Sequence, residues 1–212
     1  MSDLVDLTVR DFTASLASDA PAPGGGSASA AAGACGAGLL GMVVRLTLGK
    51  EKYRDAWDDL APVGRLADDA RERLLELVDE DTRAYDEIVA ARRLPKETDE
   101  EKAARKAAID RATLVATTTP MQTAEFAAKA LARAPLVLAK GNPNCASDAW
   151  VAALLLGAAV KGALANVRIN LPGVSDLQIV HGFQEEAGEI GAGAAAALAE
   201  ARALAVAKGL AV

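Results

Sequence analysis

The sequence predicts an all-α fold, a bundle of about five to seven helices, and three observations carry that prediction. Aromatic residues make up only 3% of the 212-residue chain while glycine and alanine are abundant. That mixture suits helices packed through small side chains and not β-sandwiches, which draw on Val, Ile, Tyr and Phe. No segment alternates apolar and polar residues with period two for long enough to make a strand. Proline, glycine and capping signals divide the chain into five helical regions.

The first region runs from Leu4 to Ala17 and ends in the loop Ser18 to Gly26, where Pro21, Pro23, Gly24, Gly25 and Gly26 forbid regular structure. Ser27 is a natural N-cap for a second helix reaching Leu48. No charged residue lies between Ala20 and Val44, so a membrane span must be weighed; its Ala/Gly core reads instead as a buried helix that lets neighbours approach closely. The third region, Lys52 to Ala91, should break or bend near Pro62. Thr98-Asp99-Glu100-Glu101 is a capping box opening a fourth region to Arg133, which Pro120 should interrupt or kink. Lys140 to Asn144 is a loop, followed by a helix from Ser147 to Asn166 or Asn170. Ser175-Asp176-Leu177-Gln178 is a second capping box, opening the last helix, which ends near Lys208. No internal repeat is present, and residues 1–212 read as one domain.

The composition excludes several kinds of function. A net charge of −6 argues against nucleic-acid binding. The segment Met1 to Phe12 carries three aspartates and no basic, apolar leader, so a cytoplasmic protein with two free thiols is expected. The one histidine, His181, rules out a metal site built on several histidines, and no G-x-S-x-G elbow accompanies it. It reads as a surface or capping residue, and no metal is expected.

Four clusters remain as candidates for chemistry. Pro23-Gly24-Gly25-Gly26-Ser27 opens a helix whose free N–H groups suit an anion or a polarised carbonyl, or else it is a tight turn at a crowded helix start. Asp81 continues the apolar stripe Leu74, Val78, Tyr85, Ile88, while Asp79 and Glu80 point elsewhere. A carboxylate on a buried face is costly and has a raised pKa, as a general acid or base requires; the alternative is a structural Asp capping a neighbouring helix or paired with Arg or Lys. Lys140-Gly141-Asn142-Pro143-Asn144 with Ser147 and Asp148 packs a cation, two amides, a hydroxyl and a carboxylate into one loop and helix start, more than Asx turns and a cap require. Asn166 and Asn170 share a helix face with Asp148, but Asp148 lies about 27 Å from Asn166 along the axis, so one chain cannot bring both into one small site. Helix C-capping is the competing reading for Asn166 and Asn170, and the stronger one for Asn170. Lys50 and Lys52 pair with anionic substrate groups or solvate a turn.

The segment Ser18 to Ser27 resembles the P-x-P-G-G-G-S opening of the formiminotransferase-cyclodeaminase C-terminal family. That family contains formimidoyltetrahydrofolate cyclodeaminase and stand-alone methenyltetrahydrofolate cyclohydrolases. Leu48-Gly49-Lys50 with Tyr53, Val78 to Tyr85 running on to Leu94 through Lys102, and Gly141-Asn142 with Ser147-Asp148-Ala149 through Leu171 resemble further family blocks in the same order. One departure is Tyr85, where the family often has Phe. The resemblance implies an all-α homodimer with a folate site in a cleft. Asp81, Asn142, Asn144, Ser147 and Asp148 would be site residues, with Gly24, Gly25, Gly26, Ser27 and Lys50 around the ligand.

The expected reaction is hydrolysis of 5,10-methenyltetrahydrofolate to 10-formyltetrahydrofolate. The chain begins about ten residues before the family motif, so no transferase domain is expected ahead of it, which favours the cyclohydrolase over the ammonia-releasing cyclodeaminase. Asp81 is the first candidate for the catalytic carboxylate and Asp148 the second. Asn142 and Asn144 would orient the pterin or the attacking water. The helix start at Gly25 to Ser27, with Lys50 or Lys140, would hold an anionic part such as the glutamate tail, and Asn166 joins the substrate-binding set. The expected partner is a tetrahydrofolate derivative, with or without a polyglutamate tail, and no cofactor beyond that substrate. A non-enzymatic helical assembly module is the competing class.

Overall fold

A computed structural model describes residues 3–210, and among them every regular element is helical. The α-helices are α1 (Val9–Leu16), α2 (Gly25–Arg45), α3 (Trp57–Arg92), α4 (Asp99–Leu131), α5 (Ala134–Lys140), α6 (Ala146–Asn170) and α7 (Leu177–Ala207). Short 3-10 turns cover Leu4–Asp6, Glu51–Ala56, Pro143–Cys145 and Leu171–Gly173. Helices α2, α3, α4 and α6 form a four-membered ring in which each packs on the next, and α7 lies outside it against α6, α5 and α4. The core is built from Leu and Val set among many alanines: Leu40, Leu74, Leu77, Leu131, Leu138 and Leu156 are fully buried. Both cysteines are free thiols, Cys35 exposed and Cys145 buried.

Helix α2 holds the bundle together because its small residues let two neighbours close in. It runs antiparallel to α3 and α6. A Cβ at Gly36 would lie 2.8 Å from Leu156 Cγ and 3.0 Å from the Ala152 carbonyl of α6, so only glycine fits at this approach. Three helical segments are long and apolar enough to cross a membrane by length and composition: α2, Pro143–Gly173 around α6, and α7. Within the bundle, α2 buries Ala30, Ala37, Leu40 and Val44 almost completely.

Several sequence expectations need correction. The first region is a 3-10 turn and a separate α1, because Thr8 is extended and caps α1 by accepting the Asp11 N–H. Ser27 is not the N-cap of α2; Gly24 is, and Ser27 is the third helical residue. Pro62 does not break α3: it sits within the first two turns and sacrifices only one helical hydrogen bond, to Asp58. Pro120 does not interrupt α4, which runs through it unbroken. The Thr98–Glu101 capping box forms as expected. At α7 the cap is Asp176, which accepts the Gln178 and Ile179 N–H groups, and Ser175 instead donates to Asp110.

Gly36→Ala should lower unfolding free energy by about 1 kcal/mol or more, because overpacking outweighs the gain in helix propensity. At Gly38 a new Cβ meets only Arg71 Cδ at an ordinary 3.6 Å. Gly38→Ala should therefore stabilise by up to about 1 kcal/mol. Urea denaturation of both variants checks the pair, and a stabilised Gly36→Ala would contradict this account of the α2–α6 contact.

Candidate active site

The Leu74–Val78 stripe of α3 is fully buried, then leaves the core at Asp81 and becomes the wall of a cleft with Tyr85 and Ile88. Asp81 is half-buried. Its Oδ2 accepts the Ser27 backbone N–H at 2.8 Å and the Ser27 Oγ–H at 3.0 Å. The Ser27 hydroxyl spends its one proton there, so at its 3.2 Å contact with Thr82 the threonine hydroxyl donates. Asp81 therefore satisfies a free N–H of the first turn of α2, as a structural cap would, and the same carboxylate faces a cleft. A Cβ at Gly26 would fall 2.1 Å from Asp81 Oδ1, so the carboxylate occupies the space that glycine leaves. Burial raises the Asp81 pKa above its ordinary value, and the two bonds from Ser27 oppose that rise without cancelling it.

All four ring helices contribute to the cleft, which has a volume of about 180 Å³. The loop Pro21–Gly24 and the start of α2 form one side, α3 supplies Asp81, Tyr85 and Ile88, α4 supplies Ala116, and α6 supplies Asn166 and Asn170. Asn166 Nδ2 donates to the Gly162 carbonyl at 2.9 Å and lies beside Gly25. Asn170 Nδ2 donates across the bundle to the Ala116 carbonyl at 2.7 Å. Asn170, which reads in sequence as a helix cap, is thus a cleft residue. The only sequence signal for it is its spacing of one turn from Asn166.

The other expected site residues gather at the opposite end of α2, about 30 Å away at 1.5 Å per residue. Asn142 is 4% exposed. Its N–H donates to Thr47 Oγ1, its Nδ2 to the Leu46 carbonyl, and its Oδ1 accepts the Tyr53 hydroxyl and the Asn144 N–H. It builds the loop, with one Nδ2 hydrogen left over, at the end of α2 away from the Asp81 cleft. Lys140 pairs with Asp59, and Lys50, Asn144 and Ser147 are exposed. Asp148 is half-buried and has no hydrogen bond or ion pair to its side chain among the described residues. At the start of α2 the Ser27 donors are taken by the chain's own Asp81, the N–H groups of Gly25 and Gly26 face the cleft, and Lys50 and Lys140 stand at the other end of the helix.

The profile of the formiminotransferase-cyclodeaminase family matches residues 8–189. A methenyltetrahydrofolate cyclohydrolase from Methylorubrum extorquens is 40% identical over 190 residues, covering 86% of this chain and 91% of its own. The formimidoyltransferase-cyclodeaminase of Rattus norvegicus is 34% identical over 82% of this chain, which spans only 32% of that longer protein. The solved formiminotetrahydrofolate cyclodeaminase of Thermotoga maritima superposes with a TM-score of 0.86 at 25% identity, covering 95% of this chain and 97% of its own.

The raised pKa of Asp81 carries a sign for stability. Its proton is held more tightly in the folded state, so stability falls as pH rises from the ordinary aspartate range through the folded pKa. Asp81→Asn should therefore be at least as stable as the parent at neutral pH, with the advantage shrinking as pH drops through that pKa. Thermal unfolding of both proteins between about pH 4 and 8 measures it, and a variant destabilised most at neutral pH would contradict the raised pKa.

Proposed function

The chain belongs to the formiminotransferase-cyclodeaminase family, and on that footing we propose that it hydrolyses 5,10-methenyltetrahydrofolate to 10-formyltetrahydrofolate, with Asp81 as the proton-transferring carboxylate. The observation that carries the reading is a half-buried carboxylate of raised pKa, held by Ser27 in a cleft shared by four helices. The preference for hydrolysis rests on the 40% identity to a cyclohydrolase along nearly its whole length.

The chemistry suits such a group. The methenyl carbon bridges N5 and N10 and carries delocalised positive charge, which a carboxylate attracts. Water adds to that carbon and passes a proton to Asp81. The tetrahedral adduct then breaks its bond to N5, N5 takes the proton back from Asp81, and the hydroxyl proton leaves as the formyl group forms on N10. A cleft of 180 Å³ is smaller than the sites that enclose drug-sized ligands, so it takes the bicyclic head and the bridging carbon while the benzoylglutamate arm projects outward.

A second reading, the cyclodeaminase, is favoured by the Thermotoga maritima structure, a chain of similar extent named for that activity. There N10 attacks the 5-formimino carbon, the carbon–nitrogen bond breaks, and ammonia leaves with a proton that the same carboxylate can deliver.

We further propose a cytoplasmic homodimer that binds neither nucleic acid nor membrane. Val151 and Leu154 expose an apolar flank of α6 between Asp148 and Asn166, the kind of surface a second copy covers. Asp148 then faces the cleft of the partner and not its own, because α6 is one continuous helix that keeps it about 27 Å from the Asn166 of its own chain.

Purified protein should deplete methenyltetrahydrofolate absorbance above the buffer rate. Asp81→Asn should lower kcat about 10²- to 10⁴-fold in a folded protein. Formation of methenyl signal and ammonia from 5-formiminotetrahydrofolate would instead establish the cyclodeaminase. Turnover of neither compound would remove both readings.

A further inference from the structure

One wall of the cleft holds a helix carbonyl that lacks its usual donor. In α4 the carbonyl of Ala116 would ordinarily accept the N–H of residue 120, four residues on. Residue 120 is proline and has no N–H, so that carbonyl is released inside an unbroken helix. Around it, the hydroxyls of Thr117, Thr118, Thr119 and Thr123 bond back to the carbonyls four residues before each of them, none of which is Ala116. The acceptor is taken by Asn170 Nδ2, 54 residues away on α6.

That bond decides which end of the Asn170 amide is available. A carbonyl only accepts, so the NH₂ end must face Ala116 and the oxygen is left over. The same logic holds one turn earlier, where the Gly162 carbonyl takes Asn166 Nδ2. Neither amide oxygen has a donor among the described residues. The side-chain polar groups left to the cleft by α3 and α6 therefore include three acceptors, two amide oxygens and the Asp81 carboxylate, alongside the second N–H of each amide and the Tyr85 hydroxyl. The first-turn N–H groups of Gly25 and Gly26 supply donors beside them.

We propose that Asn166 and Asn170 present their oxygens to the N–H donor edge of the pterin ring, and that Pro120 is the positioning residue that holds Asn170 in that orientation. The pterin edge offers two adjacent donors, the ring N3–H and the 2-amino group, next to the 4-oxo acceptor. Two amide oxygens beside free helix N–H groups complement that pattern. The inference rests on the assignment of a folate substrate made above, and it adds which atoms of that substrate are read and by which residues.

Pro120→Ala restores an N–H that shares the Ala116 carbonyl with Asn170 and so weakens the bond that orients the Asn170 amide. With methenyltetrahydrofolate, Asn170→Ala should raise KM about tenfold, the scale of one lost hydrogen bond, with kcat within about threefold. Pro120→Ala should raise KM in the same way while unfolding at the same or a higher temperature, since alanine suits a helix better than proline. In the Asn170→Ala background, Pro120→Ala should add nothing, because one interaction cannot be lost twice. A Pro120→Ala enzyme with parental KM, or a double variant whose losses simply multiply, would overturn the proposal.

Calorimetric binding of tetrahydrofolate separates this inference from the reaction. An analogue with methyl in place of the 2-amino group should bind the parent protein about tenfold more weakly than tetrahydrofolate, and the double variant Asn166→Ala with Asn170→Ala should not distinguish the two. That result upholds the recognition even if neither reaction is found. Equal binding of both compounds by the parent protein overturns the recognition even if the hydrolase activity is present.

Discussion

The bonds between Asp81 and Ser27 set the terms for the rest of the molecule. A carboxylate withdrawn from water is unfavourable unless donors replace the lost hydration. Here the donors are a first-turn backbone N–H of α2 and the hydroxyl of the same residue, so one side chain of α3 is locked to the start of another helix. The contact is short enough that no side chain fits between, which is why position 26 is glycine. It leaves the carboxylate half-buried with an elevated proton affinity, a combination that is a structural cost and a chemical resource at once.

The bundle geometry follows from the same close approach. With α2 drawn against α3 through Gly26 and against α6 through Gly36, the asparagines near the end of α6 come to rest over the glycines at the start of α2. Each ring helix then contributes to one small cleft at one end of the bundle. The opposite end is organised by different bonds, centred on Asn142 with Thr47 and Tyr53, and it serves as a rigid loop. The length of α2 and α6 keeps the two ends apart, so charges such as Lys50, Lys140 and Asp148 have no access to Asp81 within one chain.

Much of this was legible in the residue order. The apolar stripe through Leu74, Val78 and Tyr85 placed Asp81 on an inward face, and the glycine run before Ser27 marked a helix start designed for close contact. The Thr98–Glu101 box opened α4 where expected. What the order of residues left open were partnerships between distant segments. Whether the helix start at Ser27 held a substrate anion or an internal carboxylate depended on Asp81, 54 residues away. Local spacing likewise does not reveal that Asn142 is bonded to Thr47, Leu46 and Tyr53. Asn170 looked like a cap because its acceptor lies on α4, 54 residues away, a carbonyl left without a helical donor by the proline at 120, which local propensity rules read as a kink.

The central claim is that Asp81 combines partial burial, which raises its pKa, with a pair of Ser27 donors that limits the rise. Site-resolved carbon NMR titration of the Asp81 carboxyl, in the parent and in Ser27→Ala, tests it directly. The account predicts titration above the ordinary aspartate range in the parent and higher still in Ser27→Ala, where the hydroxyl donor is gone and burial remains. An Asp81 that titrates in or below the ordinary range, or that moves downward in Ser27→Ala, would contradict it.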